Sequence, residues 1–141
     1  MWEKKEKKCI FLLNIPPIDN HQSSIVNEIT KLTYPFIEMY AQKIGADVHV
    51  IKERKFPEWP VTFEKLQIYE LAQEMQNDWN IYIDSDALVN PNMMDVTTLI
   101  GKDTVLHHGN DVSTHRYRPD RFFQRDGRWL GSANWFAVAS D

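Results

Sequence analysis

The chain predicts an α/β fold: a Rossmann-like, mostly parallel sheet with flanking helices, in a truncated or minimal version. Three observations carry that expectation. The run Cys9 to Ile15 is nearly all apolar and stops at Pro16-Pro17, the pattern of a strand buried on both faces. Short apolar runs alternate with segments of helical spacing in the order β-α-β-α-β, which favours parallel strands joined by right-handed crossovers. The third run, Asn80 to Asp84, ends abruptly in two carboxylates, Asp84 and Asp86, separated by Ser85.

Each element has a local cause. Ser23 or Ser24 can cap a first helix, with Ile25, Ile29 and Leu32 on one face. Pro35 predicts a break or kink near Thr33. A second helical segment then carries Phe36, Met39, Tyr40 and Ile44 and ends at Gly45. Val48 to Ile51 reads as the second strand. Pro57 and Pro60 bound a stiff connection around Trp59, which reads as a packing plug. Thr62 can cap the next helix, whose apolar residues include Ile68, Leu71, Ala72 and Met75. After Pro91 the pattern weakens. Met94 to Ile100 reads as one or two helical turns, and Thr104 to His107 and Trp135 to Ala139 as strands. Asp111 to Arg128 is polar without a period. The sequence stops at Ser140-Asp141, directly after a strand, which gives the expectation of truncation.

At 141 residues the chain reads as one domain over 1–141, with 1–8 a charged leader. The net charge of −4 gives no global signal for nucleic acid. The single cysteine, Cys9, excludes an internal disulfide framework and reads as a small buried hydrophobe. No apolar run approaches the ~20 residues that a membrane helix needs. Cys9 to Ile15 is too short for a secretory signal and lacks a cleavage site. These features give the expectation of a cytoplasmic, soluble protein.

The acidic strand end carries the chemistry. In open α/β sheets, ligands bind beyond the carboxyl ends of the strands. Two acids there repel each other and lose hydration. A divalent cation reverses that balance, so Asp84 and Asp86 read as ligands for Mn²⁺ or Mg²⁺. On this argument, neutralising both acids should relieve repulsion and leave the metal-free fold no less stable. The plainer alternative makes them turn and capping residues.

Two stretches together, Lys65-Leu66-Gln67-Ile68-Tyr69-Glu70-Leu71 and Ile81-Tyr82-Ile83-Asp84-Ser85-Asp86-Ala87-Leu88-Val89, resemble the core of GT-A-fold glycosyltransferases. The likeness is to the glycogenin-like and GMA12/MNN10-like families. Tyr40 to Val48 and Gly131 to Val138 are similar to further parts of their pattern. The resemblance implies a hexosyltransferase that uses a nucleotide diphosphate sugar, UDP- or GDP-linked, and usually Mn²⁺. It places Asp84 and Ser85 at the ribose or donor sugar, and Asp86 on the metal. It brings Lys65 to the donor, Asn14 and Ile15 to the base pocket, and Ser132 and Asn134 beside the sugar. The pattern's late metal-binding histidine has no clear counterpart. His107, His108 and His115 are the downstream candidates, and of the neighbours His107 and His108 at most one can reach the site, because they face opposite sides of a strand.

Five of the six arginines, Arg116, Arg118, Arg121, Arg125 and Arg128, are interleaved with aromatic residues. They read first as a solvated loop and second as a phosphate-closing one. Two other functions remain open: a non-catalytic donor-binding module, and a haloacid-dehalogenase-type phosphatase with Asp84 as nucleophile.

Overall fold

The computed structural model describes residues 5–15, 20–109 and 133–140, without the side chains of 20–27, 108, 109, 133 and 134. Five strands form one sheet: β1 (Lys8–Leu13), β2 (Ala46–Ile51), β3 (Trp79–Ile83), β4 (Leu106–Gly109) and β5 (Ala133–Ala139). Their order is β2-β1-β3-β5-β4. β1 pairs in parallel with both β2 and β3, whereas β5 runs antiparallel to β3 and β4. The fold class is the expected one.

Two helices cover opposite faces. α1 (Asn20–Ile44) follows β1, and α2 (Gln67–Glu74) precedes β3. Ile37, Tyr40, Ala41 and Ile44 of α1 pack on Ile10, Leu12, Ile81 and Ile83. Ile68, Leu71 and Met75 lie with Cys9, Phe11 and Tyr82 on the other face. The alternation of β1 and β3 residues between these clusters is the period-two pleat of a strand buried on both sides. Complete burial raises the Cys9 thiol to about 12, reinforced by the Asp47 charge, so it behaves as a hydrophobe.

Four local expectations are corrected. α1 is continuous through Pro35. Proline removes one N–H and crowds the carbonyl four residues back. Here both Pro35 and Lys31 are exposed, so water can serve that carbonyl. The unbroken helix also fixes one phase for its core face. Thr30, Thr33, Ile37 and Tyr40 point inward, while Leu32 and Met39 are left 71% and 53% exposed. Finally, Thr62 caps nothing. α2 is entered through a 3-10 turn, Val61–Leu66, and neither start has a side-chain cap. Gly45 ends α1 at φ +71°, where a side chain would be strained. Trp59 is also no plug: it is 54% exposed, with its ring 5.5 Å from that of Phe63.

β1 sends one crossover to β2 on its left and the chain returns to β3 on its right. The carboxyl ends of β1 and β3 therefore flank the point where strand order reverses, which is where ligands bind in such sheets. Among the described residues, no helix is long and apolar enough to cross a membrane.

Candidate functional site

All five residues of β3 are buried. Ile81 and Ile83 face α1, and Tyr82 faces α2. Asp84 follows directly, and the chain turns at once, with the Ala87 N–H donating to the Asp84 carbonyl at 2.9 Å. The Thr33 hydroxyl of α1 donates to the Ser85 carbonyl at 2.5 Å, tying this turn to the helix behind it. Asp84 and Ser85 are half-buried and Asp86 is exposed.

The Tyr82 hydroxyl donates to Asp84 Oδ1 at 2.6 Å. Lys65 Nζ stands 3.5 Å from the same oxygen and 4.5 Å from the Tyr82 ring centre. Both charged side chains keep some contact with solvent, at 29% exposure for Lys65 and 27% for Asp84. Burial, then the hydrogen bond and charge of Asp84, push the Tyr82 phenol far above its ordinary range. It stays a hydrogen-bond donor throughout the physiological range.

Lys65 lies in the 3-10 turn, next to a carboxylate of a different kind. Glu64 is fully buried. Its oxygens accept from the N–H groups of Lys55 and Phe56, both at 2.7 Å, and from the Gln67 amide. Arg54 Nε lies 3.8 Å away and the Arg54 guanidinium also donates to the carbonyls of Phe56 and Trp59. Burial opposes the Glu64 charge, but these donors and Arg54 outweigh it and hold the carboxyl below its ordinary value. Glu64 thus nails the β2–α2 connection to the turn that carries Lys65.

Other expected residues are placed as follows. The Asn14 N–H donates to the Ile51 carbonyl at 2.9 Å, at the end of β1. Ile15 packs on the cluster of Phe11, Ile68 and Tyr82. Ile83 pairs with Trp135, so the next residues outward on these antiparallel strands are Asp84 and Asn134. Tyr82, Phe136 and His107 share one row across β3, β5 and β4. His107 therefore lies on the Tyr82 face, two strands away, or about 10 Å by strand spacing. The side chains of His108 and Asn134, and all of Gly131, Ser132, His115 and the arginine run, lie outside the described residues. Among the described residues, no three or more His, Cys, Asp or Glu side chains gather as a metal site.

Sequence reasoning missed Tyr82, Glu64 and Thr33. Tyr82 carried a signal: two residues before Asp84, it shares that residue's face of the strand. Glu64 carried none, because its main partners are backbone N–H groups of a loop.

Comparison with known proteins adds two findings, and no family model matches the chain. The fold is similar to that of a solved glycosyltransferase involved in the glycosylation of the major capsid of PBCV-1. The TM-score is 0.55 at 17% identity, over 94% of this chain and 60% of that one. At this identity the likeness establishes the fold. In sequence, the chain is 27% identical over 145 residues to α-L-fucosidase 1 of Arabidopsis thaliana, over 95% of its own length. The chain spans about a quarter of that protein, 26%, and three-fifths of the solved glycosyltransferase.

Proposed function

We propose that the chain is the donor-binding core of a metal-dependent, GT-A-type glycosyltransferase that moves a sugar from a UDP- or GDP-linked donor to an acceptor. One observation carries this reading: Lys65 Nζ meets the Asp84 carboxylate, 3.5 Å away, at the strand end where the sheet reverses its order. The fold likeness to a glycosyltransferase supports it. The likeness to a fucosidase, a hydrolase by name, supports a sugar substrate more than a transfer reaction.

The donor set fits a hard cation. Mg²⁺ and Mn²⁺ sites that serve nucleotides need only one or two carboxylates, the phosphates and water supplying the rest. Asp86 is exposed, and Asp84 has a second oxygen besides the one engaged by Tyr82 and Lys65. These two residues would hold the metal, with phosphate and water oxygens completing the shell; His107, two strands away, stands too far off to join them. When bound, the cation would neutralise the diphosphate as it leaves. The chain's own contribution is Lys65, whose ammonium would donate to a phosphate oxygen and place positive charge where negative charge develops. Ile15 offers an apolar wall to the base, and Ser132 and Asn134 would lie beside the donor sugar, as the resemblance implies.

Calorimetric titration of UDP and GDP, with Mn²⁺ and with EDTA, tests the reading. Affinity that requires the metal is expected. Nucleotide affinity unchanged by EDTA would count against it. Release of fucose from an aryl α-L-fucoside would place the chain with the plant hydrolase, and phosphatase activity lost in Asp84→Asn would place it with the dehalogenase-type enzymes. Binding without sugar turnover would identify a non-catalytic module.

A further inference from the structure

We propose that Tyr82 is a positioning residue of this site, its hydroxyl setting the orientation of the Asp84 carboxylate and its ring seating Lys65. The inference rests on the donor-site reading above.

The ring has a packing role that phenylalanine would fill equally well. It is 2% exposed and stacks on Phe136 with centroids 5.4 Å apart and planes at 24°. A hydroxyl added to a buried ring must find a partner or it destabilises the fold. Here it donates to Asp84 Oδ1 at 2.6 Å, the short distance of an O–H···O⁻ bond to a charged acceptor. Asp84 sits just past the last residue of β3, where sheet packing no longer dictates its side-chain torsions. The phenol, held by a strand that is buried throughout, supplies the missing constraint.

The same tyrosine also places the cation. Lys65 Nζ lies 4.5 Å from the ring centre while reaching Oδ1 at 3.5 Å, a favourable position over an aromatic face. Two internal donors are therefore concentrated on one oxygen of Asp84. The other oxygen is the one left to serve an incoming metal or donor hydroxyl. Partners that orient a ligating carboxylate in this way are worth about 10- to 100-fold in metal affinity when removed.

Tyr82→Phe isolates the hydroxyl, since it keeps the ring, its stacking and the seat of Lys65. Calorimetry of UDP with Mn²⁺ should show a loss of about 10- to 100-fold, with affinity for uridine unchanged. The melting temperature should fall by no more than about 3 °C, as expected for one hydrogen bond in a domain of this size. Tyr82→Leu, which also removes the seat, should lose more UDP affinity than Tyr82→Phe. Equal UDP affinity in Tyr82→Phe and wild type would overturn the inference and leave the donor-site reading standing. Equal losses for uridine and UDP with a collapse in melting temperature would overturn it too, reducing Tyr82 to a packing residue. Wild-type protein with no Mn²⁺-dependent affinity for either UDP or GDP would overturn the donor-site reading and this inference together.

Discussion

Lys65 pairs with Asp84 while Asp86 is exposed, so the two carboxylates at the end of β3 are unequal in kind. Repulsion between two bare carboxylates predicts that neutralising both costs nothing. The geometry reverses that for Asp84, which accepts from the Tyr82 hydroxyl and faces Lys65. Asp84→Asn should destabilise the metal-free protein by about 1–2 kcal/mol, the worth of a charge-assisted hydrogen bond partly screened by water. Asp86→Asn should melt no lower than the parent in EDTA, and the double variant should follow Asp84→Asn. Thermal melts of the three variants check the set, and equal melting of all three would show that Asp84 and Asp86 are equivalent. For Lys65→Ala, UDP affinity should fall by about 1–3 kcal/mol and uridine affinity should hold. Lys65→Arg should rescue only in part, because a planar fork and a point ammonium present different geometry. Titration of uridine, UMP and UDP into each variant separates these outcomes.

Two elements owe their shape to polar groups rather than to apolar periodicity. The β2–α2 connection is organised by Glu64, whose folded-state carboxyl is held below its ordinary value near 4.5. A depressed carboxylate contributes stability that is fully present above the unfolded value and is lost as pH falls through the folded one. Asp95 acts in the same sense. Burial opposes its charge, but Lys8 Nζ at 2.5 Å and the Thr97 hydroxyl and N–H hold it below 3.8. Melting temperature should therefore be flat down to about pH 4.5 and fall steeply below it. Glu64→Gln should melt lower than wild type at pH 7, with the gap narrowing in acid as the native carboxyl is protonated. A constant gap from pH 7 to 3 would assign the loss to shape instead of charge. In α1, Pro35→Ala restores a donor to the helix ladder and should raise stability by about 1–3 kcal/mol, which denaturant unfolding would read directly. Neither feature was legible in the sequence. Glu64 acts on N–H groups that no side chain advertises, and a proline inside a helical pattern signals a boundary until burial shows which carbonyls water can reach.

At the scale of the molecule, what was legible is what local pattern encodes. The strands at Cys9, Val48 and Asn80, the crossover helices and their parallel pairing all follow from runs and spacings of a few residues. The acidic end of β3 followed from position alone. The antiparallel insertion of β5 between β3 and β4 was not legible, because the pairing of Tyr82 with Phe136 joins positions far apart in the chain and leaves no local trace. The resemblance takes Lys65 and Asp84 separately to the donor; their contact with each other, and the Tyr82 ring beside them, became visible only in three dimensions.

The place of β5 has a consequence for how the chain is born. Strands leave the ribosome in numerical order, but β5 emerges last and must enter the sheet beside β3. Until then one side of Trp79–Ile83, a strand whose five residues are all buried in the finished sheet, presents an unpaired ladder of N–H and C=O groups, the kind of edge that recruits other chains. A nascent chain halted at Gly109 should therefore aggregate or occupy a chaperone, where a chain extended through β5 folds. The strand that removes this hazard is also the one whose start lies beside the acidic end of β3, so protection of the sheet and the arrival of that neighbour are a single event in time.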